Sequence, residues 1–164
     1  MIEIKQVSFT YDNATNGTAI RDINIQIPKG QIVLLCGESG SGKTTFSRLI
    51  NGLIPAYYDG DLNGRVMVSQ KDTSKVELHE LAPFIGSVFQ NPKSQFYTLL
   101  TDTEIVFACE NIGMEKTDIL GRFNSTVDSL HIEKLIGKSL FALSGGEKQK
   151  IACASVNALM PDIF

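Results

Sequence analysis

Gly37-Glu38-Ser39-Gly40-Ser41-Gly42-Lys43-Thr44, GESGSGKT, is the stretch on which the fold turns. It satisfies the spacing G-x-x-x-x-G-K-[ST], and the chemistry explains each position. Glycines at 37, 40 and 42 let successive backbone N–H groups curl inward around a phosphate without Cβ clashes. A helix expected from about Lys43 aims its positive dipole end at the same anion. Lys43 can reach the β- and γ-phosphates, and the Thr44 hydroxyl suits Mg²⁺. Upstream, QIVLLC (residues 31–36) reads as a short strand buried on both faces. Downstream, Phe46, Leu49, Ile50 and Leu53 recur at i, i+3, i+4 and i+7, the apolar face of a helix. Strand, glycine loop and helix in that order predict an α/β nucleotide-binding core.

Outward from this centre, IEIKQVSFTY and AIRDINIQIP alternate apolar and polar residues around the polar DNATNGT, which predicts an antiparallel β start. IPAYYDGDLNG reads as a loop, RVMVS as a strand, VELHELA as a short helix and FIGSVFQ as a third core strand. Residues ~101–136 carry helical spacing (Ile119, Leu120, Phe123, Val127, Leu130) and form a helical insert. A last helix runs from about Ser144 to Leu159, closed by Pro161, and Ile163 and Phe164 begin another strand.

Bulk properties narrow the function. With 164 residues, 43% apolar and 20% charged, the chain is one large domain or most of one. It holds no run of roughly 18 apolar residues and opens with no signal-peptide pattern, so a cytosolic location is expected. A net charge of −3 implies neither nucleic acid nor anionic lipid as partner. Cys36, Cys109 and Cys153 read as small buried apolar side chains, and the isolated His79 and His131 as no metal site.

A second motif, LSGGEKQK (143–150), opens the last helix. Ser144 and Glu147 form an S-x-x-E capping box, with Gly145 and Gly146 inside the first turn. Glycine costs up to about 1 kcal/mol against alanine in a helix, so two of them need a reason. Exposed N–H groups and a serine at a positive helix end make a second anion site; an ordinary capped helix is the plain alternative.

Together the motifs resemble the nucleotide-binding domain of ABC transporters, in which LSGG is the family signature. The resemblance implies an α/β fold: a P-loop NTPase core with an N-terminal antiparallel β subdomain and a helical subdomain, incomplete at the C-terminus. It implies ATP and Mg²⁺ as cofactors, held by the whole loop from Gly37 to Thr44 with Thr45 beside the phosphates. Tyr11, in VSFTY, matches the aromatic that stacks on adenine, a core tyrosine being its plain alternative. Gln90 matches the Q-loop glutamine, which joins Thr44 in holding Mg²⁺ and couples to a membrane subunit. Ser144, Gly145 and Gly146 would contact the γ-phosphate held by a second ABC ATPase domain, of the same or a paralogous chain. A transmembrane coupling subunit is the other implied partner, with the protein peripheral on the cytoplasmic face of the membrane. By this resemblance residues 1–30 are the β start, 31–100 the P-loop core and Q-loop, 101–142 the helical insert, and 143–164 the signature helix and the start of the Walker B strand.

FQNPKSQFYT and TEIVFACENIGM are similar to the ATPases of energy-coupling-factor importers of vitamins and metal ions, and GLIPAYYDGDLNGRVMV to the first half of their tandem forms. A soluble, non-transport ABC ATPase or regulator is the alternative, and a natural binding module a third reading. The family's Walker B aspartate, catalytic glutamate and switch histidine follow a segment matching MPDIF, so no catalytic residue is expected within this chain and the parent protein is the ATP hydrolase. Glu110, Asp162, His79 and His131 do not match those positions. An unfinished sheet would leave Leu34, Cys36 and Phe89 partly exposed, with marginal stability or intermolecular pairing as the result.

Overall fold

The computed structural model describes residues 1–13 and 17–164; residues 14–16 of the polar linker lie outside them. The chain divides into two compact units, Met1–Ala82 and Pro83–Phe164.

In the first unit, Ile2–Tyr11 (β1) and Ile20–Ile27 (β2) pair antiparallel, as their alternation predicts. Lys43–Ile50 is helix α1, and Leu53–Ala56 a single-turn α2. Gly60–Val68 (β3) pairs with the other edge of β1, Lys71–Asp72 (β4) follows it, and Leu78–Leu81 is α3. The sheet runs β2-β1-β3-β4. β3 begins within the stretch read as a loop, because Leu62 and Asp61 are drawn into the ladder opposite Phe9 and Thr10.

Ile2, Ile4, Val7 and Phe9 are all buried, although unbroken alternation would put the last two on the opposite face from the first two. The register of β1 against β3 slips between Lys5 and Ser8, and Gln6 takes φ 49°, so a bulge resets the pattern. Gly64 answers it with φ 89°; an added Cβ would lie 2.4 Å from the Gln6 carbonyl oxygen. Beyond β3, the buried Asp72 carboxylate accepts hydrogen bonds from Arg65 Nε at 2.9 Å, Ser74 Oγ at 2.8 Å and Ser74 N at 3.2 Å. Burial works to raise its pKa, but the Ser74 hydroxyl, the Ser74 N–H and the Arg65 guanidinium outweigh it and hold the carboxyl below its ordinary value.

The second unit is built from helices α4 (Thr101–Asn111), α5 (Lys116–Leu130) and α6 (Gly145–Asn157). Ile105 and Cys109 of α4, Val127 of α5, and Ile151 and Ala154 of α6 share one buried cluster with Ile132, Leu135, Leu140 and Leu143. Ile119, Phe123 and Leu130 pack against that cluster, whereas Leu120 is exposed: it directly follows Ile119 and so points about 100° away from it. Arg122 of α5 donates to the carbonyl oxygens of Ala158 and Leu159, satisfying acceptors left open at the end of α6. α6 stops at Asn157, ahead of Pro161, and Met160 turns through φ 52°.

Two expected core strands do not form. Residues 31–36 have no strand pairing among the described residues, and Ile32 and Leu34 are 103% and 85% exposed. An apolar run becomes a buried strand only where neighbours supply both its hydrogen bonds and its packing. Leu34 and Cys36 are exposed, as an unfinished sheet implies and against the reading of Cys36 as a buried side chain, while Cys109 is buried and Cys153 half-buried, and burial pushes both of these last two thiols up. FIGSVFQ makes a single parallel bridge, Ile85 to Ile163, in which Gly86 N–H donates to Ile163 O at 2.7 Å and Ile163 N–H to Phe84 O at 3.0 Å. Phe89 is exposed, as expected, and Ile163 does begin to pair.

Gly64→Ala should destabilise the protein by more than about 1 kcal/mol in urea unfolding, since both its backbone angle and its space are closed to a Cβ. Asp72 contributes stability that is complete above the ordinary carboxyl value of 3.8 and is lost as pH falls through its lower folded value. Asp72→Asn should therefore flatten the acid limb of the stability curve below about pH 4, measured by thermal unfolding across pH.

Candidate functional site

In the first unit the glycine loop and the start of α1 form the site. Gly42 caps α1 in the left-handed conformation (φ 89°), where an added Cβ would sit 2.7 Å from Ile20 Cγ2 and 2.8 Å from the Ala19 carbonyl oxygen. At Gly37 a Cβ would meet Ser41 Oγ at 2.6 Å. The loop is closed by Ser41 N–H donating to Glu38 O at 3.2 Å. Lys43 Nζ folds back over it, donating to Gly37 O (2.8 Å), Glu38 O (2.6 Å) and Ser41 Oγ (3.3 Å). All three acceptors are exposed, so the ammonium can exchange them for phosphate oxygens. Glu38, Ser39, Gly40, Ser41 and Thr44 are exposed around it. No side chain caps α1, and its first turn holds no acidic residue. A helix start of this kind leaves N–H donors and a positive dipole end open to an anion.

Thr45 lies apart from this open rim. It is 6% exposed, and its Oγ1 shares a 3.1 Å hydrogen bond with the Tyr11 hydroxyl. Arg48 of α1 donates from Nη1 to that hydroxyl at 3.1 Å, and its guanidinium lies 3.9 Å above the Tyr58 ring. The Tyr11 ring also meets Phe9 edge-on at 4.7 Å. Tyr11 is thus tied to α1 by its polar tip while its body packs on the end of the sheet. Arg48 escaped the sequence reading because surface arginines in helices are common and nothing in its spacing marks Tyr11 as its partner.

In the second unit, Gln90 is exposed at the end of the 85–89 segment. The turn after it is held from inside: Asn91 Oδ1 accepts from Lys93 N–H at 3.1 Å, and Gln95 Oε1 from Phe89 N–H at 3.0 Å. Glu104, 2% exposed in the first turn of α4, accepts through Oε2 from Tyr97 N, Thr98 N and Thr98 Oγ1 at 2.8–3.1 Å. Neither Gln95 nor Glu104 stands out in the sequence, since their partners are backbone groups several residues away.

Ser144 caps α6 as its S-x-x-E spacing predicts. Ser144 Oγ and N donate to Glu147 Oε2 at 2.7 and 2.8 Å, and Glu147 N–H returns to Ser144 Oγ at 3.4 Å. The Ser144 hydroxyl, then its N–H, hold the Glu147 carboxyl below the usual range. Gly145 and Gly146 have helical backbones with nothing within 4 Å of an added Cβ. Nothing in this chain demands glycine there, unlike at Gly42 or Gly64.

A glycine-rich loop on an uncapped helix and a glycine-started, capped helix are the two local structures that the motifs predict. A family model for ABC transporters matches residues 20–164. A protein of Treponema denticola named as an ABC transporter ATP-binding protein is 48% identical over 164 residues, covering 100% of this chain and 33% of its own. A Pyrococcus abyssi protein of the same description is 37% identical, covering 100% of this chain and 58% of its own. Among solved structures, CbiO1 from Clostridium perfringens, described as part of the ABC transporter complex cbiONQ, superposes with TM-score 0.83 at 26% identity, over 98% of this chain and 62% of that one. A dimeric ATP-binding cassette in a post-hydrolysis state with ADP and Pi shares the fold, with TM-score 0.80 at 24% identity over 98% of this chain and 71% of that one. The chain belongs to the ABC transporter family, as its ATP-binding domain, and has the ABC ATPase fold with an N-terminal antiparallel sheet. It spans about a third of the length of the first curated relatives it matches. Among the described residues no helix is long and apolar enough to cross a membrane.

Tyr11→Phe removes one hydroxyl from the Thr45–Arg48 network and keeps the ring. It should lower stability by about 1–2 kcal/mol, read as an earlier urea midpoint with unchanged slope.

Proposed function

We propose that this chain is the nucleotide-binding part of an ATPase that powers an energy-coupling-factor-type importer of vitamins or metal ions. The observation that carries the nucleotide reading is the start of α1, left without side-chain cap or acid behind a loop in which Gly37 and Gly42 leave no room for a Cβ atom. Gly37 to Thr44 hold the phosphates, Lys43 supplies the mobile positive charge, and the exposed Thr44 offers its hydroxyl to Mg²⁺. Thr45, its hydroxyl turned to Tyr11 and away from the rim, braces α1 from behind instead of meeting the phosphates, and Tyr11 offers its ring to the adenine.

The open space over Gly145 and Gly146 supports a partner that approaches the start of α6 closely, and a second ABC ATPase domain presenting its bound γ-phosphate fits that requirement. The importer reading is supported by the likeness to CbiO1 and by the aromatic and polar segment after Gln90, which offers the exposed Tyr97 to a transmembrane coupling subunit. The protein then works as a peripheral subunit on the cytoplasmic face.

Calorimetry with Mg-ATP should show binding that Lys43→Ala weakens at least about tenfold, or about 1.4 kcal/mol. Equal affinity in that variant would remove the nucleotide reading. Co-purification of the full-length protein with a small membrane component is expected; consistent recovery with soluble partners alone would favour a non-transport ABC ATPase.

A further inference from the structure

We infer that Gln95 is a positioning residue that ties the turn carrying Gln90 to the signature helix. Its side-chain amide faces two backbone groups at once. Oε1 accepts from Phe89 N–H at 3.0 Å, immediately before Gln90, and Nε2 donates to the Ala152 carbonyl at 3.2 Å, within α6. One partner can only donate and the other can only accept, so the orientation of the amide is fixed by the backbone itself. No other side chain of this length does both: an ionised glutamate cannot donate, and a lysine cannot accept.

Both ends of the link are stiff. Gln95 N–H donates to Pro92 O at 3.1 Å, Ser94 Oγ donates to Asn91 O at 2.7 Å, and Asn91 caps the short turn from Pro92 to Ser94. Ala152 is fully buried in a helix that is bonded through to its capping serine. The Ala152 carbonyl also accepts from Ser155 Oγ at 3.1 Å, so it keeps a partner when Gln95 is changed. Loss of the Gln95 amide therefore frees the turn from the helix and leaves the Asn91 cap and the helix bonds in place. Ala152 lies eight residues from Ser144, roughly 12 Å along a rigid rod at 1.5 Å per residue. A displacement of the Gln90 turn that pulls on Ala152 is delivered to Ser144, Gly145 and Gly146. In the ATPase proposed above, on which this role rests, Gln95 thereby keeps Gln90 and the signature in register.

The test uses the full-length protein in three forms: unchanged, Gln95→Ala and Gln95→Glu. Hydrogen exchange without nucleotide should show Phe89 N–H exchanging at least tenfold faster in Gln95→Ala and near the unchanged rate in Gln95→Glu, which keeps the acceptor. Both variants should lose about tenfold in kcat at pH 8 with KM for ATP within twofold, because the loop that holds nucleotide is untouched. For Gln95→Glu the deficit relative to the unchanged protein should shrink as pH falls toward about 5.5, where a carboxyl facing a carbonyl regains a proton to donate. A merely structural role would lower the melting temperature in step with activity and show no such recovery. Unchanged Phe89 exchange in Gln95→Ala, kcat within twofold in both variants, or a loss confined to KM would each overturn the inference. If Gln95→Ala does not fold, Gln95→Glu carries the test. If the unchanged protein hydrolyses no ATP, the proposed function falls, and the exchange arm alone decides whether Gln95 makes the link.

Discussion

The first backbone N–H groups of an α-helix have no partner inside the helix, and how each of two helices meets that need organises what this chain can do. α6 meets it from within: Ser144 and Glu147 bond reciprocally, and the helix start is complete before any ligand arrives. α1 does not; Gly42 brings no side chain, and its first turn has no acid. The two ends therefore play unlike parts. One leaves its N–H donors open, and the other is a pre-formed, exposed surface whose glycines leave room for something close. Lys43, meanwhile, holds the loop with bonds to exposed carbonyl oxygens.

Much of this was legible in the sequence. The β1–β2 pair follows from alternation, α4 and α5 from helical spacing, and the starts of α1 and α6 from motifs whose chemistry is local. What was not legible depends on groups far away along the chain. QIVLLC has the composition of a buried strand, yet a strand is a relation between segments, and no segment among the described residues supplies it a ladder. Leu120 matches a helical face loosely but sits one residue past Ile119, and only the packed helices show which of the two faces inward.

The site divides along the same line. The loop from Gly37 to Thr44 and the Ser144 cap are read from residue type and spacing, because the bonds that shape them are local. Arg48, Gln95 and Glu104 could not be found that way. Each is an ordinary polar residue until its partner is known: Tyr11 for Arg48, Phe89 and Ala152 for Gln95, and the backbone of Tyr97 and Thr98 for Glu104. Thr45 shows a further limit. Its neighbour Thr44 is exposed at the rim, whereas Thr45 is turned into a buried bond with Tyr11, since consecutive helical residues point about 100° apart.

The bulge at Gln6 has a consequence for Tyr11. In a regular strand, counting decides sidedness: odd positions share one side and even positions the other. Ile2 and Ile4 are even, whereas Val7, Phe9 and Tyr11 are odd, and the extra residue at the bulge is what lets both sets meet the same layer. Tyr11 can touch Thr45 and Arg48 only because the strand changes parity five residues before it. A single insertion or deletion between Gln6 and Tyr11 would turn the ring away from the helix, however faithfully every other residue were kept.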